Sequence, residues 1–223
     1  MTITVETGPM FSDKSSAIIK HLDRHEIHQH QLGADYLAFN HSSDIRYGMS
    51  VIANHKGESY PCFTLTTSTD LLEFIFDLDP DSDQPFTIKP QFLHIQGLYL
   101  DEGQFFDMGL VEVIALINHE YLFHPDRKEP LLIDVAGLDL DFRGEPFGPI
   151  PGLMAKATEV HKHKAECIVC GKSNATRTQR IVNGQPALYT DPVILIGAKE
   201  TYTARCEKDH QVPGKPTPTH KQK

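Results

Sequence analysis

Residues 3–16 read ITVETGPMFSDKSS, and this stretch decides the fold. Its first four residues are rich in β-branched side chains and predict a short strand. Gly8 then opens a turn-rich connection. Beyond it, apolar residues recur at helical spacing from residue 15 to about residue 31, and Gly33 follows as a stop signal. The stretch therefore predicts a strand, a loop and a helix in immediate succession.

The next 100 residues repeat this alternation of strands and helices. Further strands are predicted at residues 34–39, 92–100 and 131–136, and further helices at residues 71–76 and 111–121. Residues 77–90 are predicted to form a loop. Strands that alternate with helices pair in parallel through right-handed crossovers, and their carboxyl ends share one edge of the sheet. The predicted fold class is α/β, with functional groups at that edge.

The composition changes after about residue 160, which divides the chain into three predicted parts. Residues 1–160 form a parallel-sheet domain. Residues 161–212 form a smaller second domain, with short segments and a predicted strand at residues 193–196. Residues 213–223 contain prolines and lysines without an apolar pattern, so we expect a disordered tail.

The overall composition is that of a globular protein: 39% of the 223 residues are apolar and 23% are charged. Lysine and arginine number 21 against 30 acidic residues, and the net charge of -9 opposes non-specific binding to nucleic acid. No apolar run approaches the roughly 20 residues of a membrane span, and no early segment resembles a signal peptide. The sequence predicts a cytoplasmic protein without a nucleic-acid or membrane partner.

The loop after the first strand partly matches the phosphate-binding pattern GxxxxGK[ST]. Gly8, Lys14 and Ser15 match, whereas Asp13 occupies the place of the second glycine. In such loops the backbone N–H groups hold phosphates at a helix N-terminus, the lysine contacts the outer phosphates and the hydroxyl binds magnesium. An ordinary helix-capping turn is the alternative interpretation.

An acidic pair, Asp101 and Glu102, ends the strand predicted at residues 92–100. One such carboxylate can orient magnesium while the other accepts a proton from an attacking hydroxyl. A simple loop cap is the alternative. A candidate phosphate loop in the same sheet favours the catalytic interpretation.

Three of the four cysteines lie late in the chain. Cys167 and Cys170 form a Cys-x-x-Cys pair, and Cys206 follows with either His210 or Asp209 close behind. This spacing fits a structural zinc site with four ligands, and free thiols are the alternative.

The 13 histidines are scattered, with clusters at His25, His28 and His30 and at His161 and His163. These clusters suggest metal binding. No partner ligand has the spacing of a metal motif, however, so we expect ordinary exposed helix histidines.

Several motifs follow one another in a characteristic order. After the loop come DIRY at residues 44–47, DEGQFF at 101–106, DFRGEPFG at 141–148, the cysteine pair with ATRTQR at 175–180, and VILIG at 193–197. This order resembles the zinc-containing cytosolic thymidine kinase family, and the resemblance extends to about residue 212. It implies a P-loop parallel-sheet domain with a small zinc-binding lasso domain.

The resemblance implies transfer of the γ-phosphate of ATP to the 5′-hydroxyl of thymidine, or of deoxyuridine, to give the monophosphate. Glu102 would be the base, Ser15 and Asp101 would serve magnesium, and Lys14 would contact the donor phosphates. The implied ATP- and phosphate-binding residues are Gly8, Pro9, Met10, Phe11, Ser12, Asp13, Lys14, Ser15, Asp44, Arg46, Asp101, Glu102, Gly103 and Gln104.

The base would lie under a lasso loop at about residues 173–192. The implied thymidine-binding residues are Met10, Phe105, Leu138, Phe142, Thr178, Val193, Ile196, Gly197 and Tyr202. We assign Phe106 and Phe147 to core packing instead. The family also implies structural zinc, magnesium with ATP, a homotetramer and feedback inhibition by dTTP.

Three positions depart from the family pattern. Asp13 replaces a glycine, and a carboxylate about 4 Å from a phosphate would repel it by about 4 kcal/mol at an effective dielectric near 20. Asn40 stands where the family usually has lysine. At the zinc site we favour His210 over Asp209, because imidazole suits a thiolate-rich site.

These departures leave two alternatives to an active kinase. One is a catalytically impaired relative that binds nucleosides or nucleotides without turnover. The other is a zinc ribbon that grips nucleic acid, which the acidic net charge disfavours.

Overall fold

The structure is a computed structural model that describes residues 2–32, 35–44, 48, 50–194 and 200–217. The strands are β1 (Thr2–Thr7), β2 (Tyr36–His41), β3 (Val51–Ala53), β4 (Ser59–Pro61), β5 (Phe63–Leu65), β6 (Phe76–Leu78), β7 (Phe86–Ile88), β8 (Gly97–Leu100), β9 (Leu132–Gly137), β10 (Glu159–Lys162), β11 (Arg177–Val182), β12 (Gln185–Pro186) and β13 (Glu200–Arg205). The α-helices are α1 (Lys14–Leu32), α2 (Ser68–Ile75), α3 (Leu110–Leu122) and α4 (Ile150–Lys156), with 3-10 helices at Pro90–Phe92 and Gly103–Phe105.

Six strands form the central sheet, in the order β10-β1-β9-β8-β2-β5. Every neighbouring pair in it is parallel. Thr7 pairs with Gly137 and Leu100 with Val135, so β1, β9 and β8 end near the same edge. The predicted α/β class is confirmed.

The two faces of the sheet are covered unequally. Helices α2, α3 and α4 pack on the face that carries Ile3, Val5 and Leu98. On the other face, α1 packs its apolar side chains against Ala136 and Tyr99. Because side chains alternate along a strand, the neighbours of the first set point towards α1.

The second lobe contains the three-stranded antiparallel sheet β12-β11-β13. Among the described residues, the apolar cluster of this lobe consists of small alanine and cysteine side chains: Ala165, Cys167, Ala175, Ala204 and Cys206. Such small side chains remove little apolar surface from water, and stabilisation scales with that area at about 25 cal/mol per Å². A metal cross-link therefore suits this lobe.

The structure can be compared with the two boundaries predicted between the parts of the chain, at residues 160 and 213. The boundary at residue 160 falls inside β10, which pairs with β1 in the main sheet, and the domain division stays a prediction. The predicted tail begins at residue 213, yet Pro213 O accepts a hydrogen bond from Tyr189 N at 2.9 Å, and Lys215 Nζ lies 3.0 Å from Glu145 Oε1. Pro213 and Lys215 thus contact the protein, in contrast to the predicted disorder, and residues 218–223 lie outside the described part.

Three local predictions need correction. The predicted loop at residues 77–90 contains the antiparallel hairpin β6-β7, which the pairing of buried Phe76 with Ile88 stabilises. The strand predicted at 92–100 is a strand only from Gly97 onwards. Val193 and Ile194 form a bend rather than the predicted strand, and the rest of that segment lies outside the described residues.

None of the helices in the described part of the chain combines the length and apolar character needed to cross a bilayer.

The turn before α2 satisfies the first N–H groups of that helix through reciprocal hydrogen bonds. Thr67 Oγ1 accepts from Asp70 N at 3.1 Å, and Asp70 Oδ2 accepts from the N–H groups of Thr66 and Thr67 at 2.9 and 2.8 Å. This is a capping box. Its hydrogen bonds, first the one from Thr66, lower the pKa of the Asp70 carboxyl.

We expect Asp70→Asn to lower the free energy of unfolding by about 0.5 to 1 kcal/mol at pH 7, the usual scale of a capping contribution. A lowered carboxyl pKa stabilises the fold only while the group is ionised. The difference from the wild type should therefore be complete above about pH 4 and should shrink as the pH falls further. Urea unfolding at several pH values measures it, with the exposed Glu73→Gln in the same helix as control. A difference that persists unchanged at low pH would contradict this account.

Candidate active site

The backbone of the loop between β1 and α1 adopts positive φ angles, which only some residue types tolerate well. Gly8 has φ 139°, and a Cβ there would lie 2.5 Å from the carbonyl oxygen of His163. Phe11 and Asp13 adopt left-handed conformations, with φ 64° and 63°. Asp tolerates this region better than most residues, which explains how the turn survives where the pattern has glycine.

The Asp13 carboxylate is exposed and contacts Lys56 and Ser16. Its side chain is 62% exposed, and Oδ1 lies 3.4 Å from Lys56 Nζ and accepts a hydrogen bond from Ser16 Oγ at 3.3 Å. In water-like surroundings a like charge at 4 Å costs about 1 kcal/mol rather than 4. The repulsion expected from sequence is therefore too large for this conformation, and Lys56 offsets part of the remainder.

Lys14 bends over the loop. Its ammonium donates to Pro9 O at 2.7 Å and to Ser12 Oγ at 3.5 Å, while Ser12 Oγ itself donates to Pro9 O at 2.8 Å. The charge thus lies at the concave side of residues 8–15, where a phosphate group would need it.

Asp101 ends β8 and is buried beside the loop. Its carboxylate accepts hydrogen bonds from the Ser15 hydroxyl and from Glu102 N, the latter at 2.9 Å. Burial, then the neighbouring Glu102 charge, raises the pKa of Asp101 to about 7, against the opposing effects of Ser15 and Lys14. Ser15 and Asp101 therefore present two oxygen ligands of the kind that magnesium binds.

The backbone at Glu102 is also left-handed, with φ 54°. Its Oε2 accepts a short hydrogen bond from Gln104 Nε2, and Gln104 Oε1 accepts one from Leu138 N at 2.9 Å. Gln104 is buried, so it ties the Glu102 carboxylate to the end of β9. A carboxylate held in this way is oriented to accept a proton.

Asp44 also lines the cavity. It contacts Asn40, one of the residues that depart from the family pattern. Asn40 Nδ2 donates to Asp44 Oδ2 at 3.3 Å and to Val51 O at 3.2 Å. Both hydrogen bonds that the Asn40 side-chain amide donates are thus made within the protein. The end of β2 lacks the positive charge that a lysine at this position would supply.

A cavity of about 390 Å³ joins the loop, the carboxylates and the second lobe. The predicted site residues that line it are Met10, Phe11, Ser12, Asp13, Lys14, Ser15, Asp44, Glu102, Gln104, Phe105, Leu138, Phe142, Thr178, Val193 and Tyr202. The predicted residues Gly8, Pro9, Asp101 and Gly103 do not line it. Arg46, Ile196 and Gly197 lie outside the described residues.

Aromatic side chains form an apolar slot in this cavity. Phe105 meets Phe147 edge-on, with ring centroids 5.9 Å apart and an interplanar angle of 89°. Phe142 stacks under the guanidinium of Arg180 at 3.9 Å. Phe106 is in the core as expected, but the assignment of Phe147 to the core is wrong, because its ring reaches the cavity wall.

The second lobe closes one side of the cavity. Met10 N donates to Thr178 Oγ1 at 3.0 Å, which links the loop to β11. The buried Arg180 donates to Pro192 O at 2.7 Å and so holds the segment that brings Val193 to the cavity.

Sequence reasoning missed six residues that also line the cavity: Ser16, Ser43, Ala53, Asn54, His55 and Ile194. Asn54 Nδ2 donates to Ser16 Oγ at 2.9 Å, and the His55 ring lies 4.8 Å from that of Phe11. Three of the six, Ala53, Asn54 and His55, come from the short hairpin β3-β4, whose polar sequence carries no motif that would identify it.

The late cysteines meet in one cluster. Donor atoms of Cys167, Cys170, Cys206 and Asp209 all lie within 4.8 Å of one another. The thiols of Cys167 and Cys206 are 3.3 and 3.0 Å from Asp209 Oδ2, and Cys170 Sγ is 4.0 Å from Cys206 Sγ. Three thiolates and a carboxylate can hold zinc.

The preference for His210 as the fourth ligand is corrected. Its Nε2 donates to Phe142 O at 2.9 Å, away from the cysteines. The reason is the turn after Cys206, whose carbonyl accepts from both Asp209 N at 3.1 Å and His210 N at 3.0 Å. This turn brings the residue three positions on back towards the thiol.

The fold and the cavity define a class of protein. A strand-loop-helix phosphate site, beside carboxylates at the end of a parallel strand, is the arrangement of P-loop phosphotransferases. The sequence model described as thymidine kinase matches residues 1–210. The chain therefore belongs to the thymidine kinase family.

Two variants distinguish the candidate fourth zinc ligands. Asp209→Ala is expected to lose zinc to a competing chelator at least tenfold more readily than the wild type, because it removes a ligand. His210→Ala should retain zinc at the wild-type level. Metal content per chain after dialysis, measured by atomic absorption, gives the answer. Loss of zinc in His210→Ala with retention in Asp209→Ala would reverse the assignment.

Proposed function

We propose that the protein transfers the γ-phosphate of ATP to the 5′-hydroxyl of thymidine to give dTMP. The observation that carries this proposal is the convergence of Lys14, Ser15 and Glu102 on the cavity that also contains the aromatic slot. Family membership supports the same conclusion.

Different residues around the loop would bind the phosphates of ATP and the magnesium ion. The N–H groups of residues 8–15 and the Lys14 ammonium bind phosphate oxygens, with Lys14 moving from Pro9 O to the ligand. Ser15 and Asp101 fit magnesium, which when bound supplies charge neutralisation on the phosphates. These groups act by position and charge, which is most of what phosphoryl transfer requires from a protein.

Glu102 would accept the proton of the 5′-hydroxyl as the new bond to phosphorus forms. Gln104 orients its carboxylate from one side. A base at this point must face both the loop and the nucleoside, and Glu102 lines the cavity with Met10 and Phe105 next to it.

The nucleoside base would lie in the slot formed by Phe105, Phe142 and Phe147. A flat heterocycle packs well on aromatic faces, with a few fixed polar groups setting its orientation. Deoxyuridine has the same polar edges as thymidine and is an alternative substrate. The homotetramer, dTTP inhibition and cytoplasmic location that the family implies stay predictions.

The conformation of Asp13 favours an active enzyme over a catalytically impaired one. Its carboxylate is exposed and pairs with Lys56, so the cradle itself is not filled by the substituted side chain. We therefore propose turnover rather than binding alone.

The proposal predicts ATP-dependent phosphorylation of thymidine by the wild-type protein, and a loss of about 10²- to 10⁴-fold in kcat for Glu102→Gln. A coupled assay with thymidine, ATP and magnesium measures both. The control is Glu112→Gln, an exposed residue of α3, which should behave as the wild type.

The Asp13→Gly variant distinguishes an active kinase from a catalytically impaired relative. We expect its KM for ATP to lie within about tenfold of the wild-type value, a difference of roughly 1.4 kcal/mol or less. An inactive wild type that Asp13→Gly restores would establish the impaired relative instead. If neither protein phosphorylates thymidine, the proposed function is wrong.

Arg180→Lys tests how the second lobe holds the nucleoside. Lysine keeps the charge but loses the planar fork that reaches Pro192 O and covers the Phe142 ring. We expect the KM for thymidine to rise roughly tenfold or more, with kcat changed much less. Arg205→Lys, on the neighbouring strand β13, is the matched control. An unchanged KM in Arg180→Lys would contradict this role.

A further inference from the structure

A second polar cluster lies on the α1 face of the sheet, away from the cysteines. Glu6 of β1 is 1% exposed and Asp134 of β9 is 4% exposed. Thr4 pairs with Asp134 in the parallel ladder, so Glu6 and Asp134 point to the same face, two positions apart. Two carboxylates buried in the middle of a sheet are costly unless positive groups or a cation compensate them.

Three histidines surround these carboxylates. His21 Nδ1 of α1 lies 2.8 Å from Asp134 Oδ2, and His161 Nδ1 lies 2.7 Å from Glu6 Oε1. His163 Nε2 contacts the other oxygen of Glu6 directly. The expectation of exposed helix histidines is wrong about the helix, because His161 lies in β10 and His163 directly follows it. The expectation is right about exposure for His161, whereas His163 is half-buried.

The donor atoms have the spread of a metal site. One atom each of Glu6, His21 and Asp134 lies within 4.8 Å of the others. Ligands about 2.0 to 2.2 Å from a common ion have roughly this separation. Asp134 Oδ1 is fully buried and has no hydrogen-bond partner among the described residues.

Glu6 and His21 of the cluster, but not Asp134, line an opening to solvent. An opening of about 320 Å³ is lined by Glu6, His21, His161 and His163, with Lys20 and Arg24 of α1 at the same opening. A small hydrated cation can enter here. The two basic side chains oppose its approach, and the paired carboxylates attract it.

We propose that Glu6, His21 and Asp134 bind a divalent transition-metal ion, at a site separate from the cysteine cluster. One imidazole and two carboxylates are donors that zinc, cobalt, nickel and manganese accept, and the absence of thiolate from this donor set distinguishes it from the cysteine cluster. His161 and His163 orient Glu6 by their hydrogen bonds. Binding releases the proton that His21 and Asp134 share.

The position of this site connects it to the phosphate loop. Glu6 precedes Gly8 by two residues, and His163 N donates to Thr7 O at 2.7 Å. The His163 carbonyl lies directly over the Gly8 backbone. An ion at the cluster would therefore fix β10, β1 and α1 together at the base of the loop.

Cobalt(II) titrated into the full chain, with zinc already bound at the cysteines, tests the proposal. The wild type should bind one further equivalent, with ligand-field bands of nitrogen and oxygen coordination and without the charge-transfer band that a thiolate ligand gives. His21→Gln and Asp134→Asn should weaken this binding at least tenfold. His119→Gln, an exposed histidine of α3, is the matched control and should bind as the wild type.

Each outcome decides the question. No further equivalent, or equal uptake in the wild type and both cluster variants, means that the cluster holds protons and not a metal. A thiolate band would show exchange at the cysteines and would likewise overturn the proposal. Should Asp134→Asn fail to fold, His21→Gln decides, because its side chain is 35% exposed and tolerates a polar replacement. These readouts require no kinase activity.

Discussion

The parallel pairing of β1 with β9, and of β9 with β8, is the constraint on which the site depends. With Thr7 opposite Gly137 and Leu100 opposite Val135, three chain segments leave the sheet at neighbouring points. The segment after β1 is the candidate phosphate loop, and the segment after β8 carries the acidic pair. The segment after β9 supplies Leu138 N, which donates to Gln104 Oε1. A slip in this register would separate the charge on Lys14 from its carboxylate partners, whatever the loop sequence.

The same three strands serve different purposes on their two faces. One face presents aliphatic side chains to α2, α3 and α4, and its burial provides most of the apolar core. The face under α1 carries a smaller apolar cluster, and Glu6 and Asp134 are buried on the same face. Glu6 lies two residues before Gly8, so this polar cluster adjoins the start of the loop between β1 and α1.

The parts of the fold that sequence predicts are those with strong local periodicity. The strand-loop-helix unit at residues 2–32 and the helix α3 follow from spacing alone. The hairpin β6-β7 depends on the contact between Phe76 and Ile88 across a polar turn, which no short window reveals. Asp209 replaces His210 at the cysteines through the geometry of one turn. Glu6 looks like an ordinary charge in a strand, since its partner His161 lies 155 residues away.

The composition of the small lobe has a consequence beyond the site itself. Its apolar cluster, within the described residues, contains small alanine and cysteine side chains, yet Thr178 on its strand β11 anchors Met10 and with it one wall of the slot. Loss of the proposed zinc ion, or oxidation of the thiols, would remove the cross-link that supports this anchor and would loosen the proposed nucleoside site. The proposed activity would then follow the supply of metal and reductant even when the amount of polypeptide stayed constant.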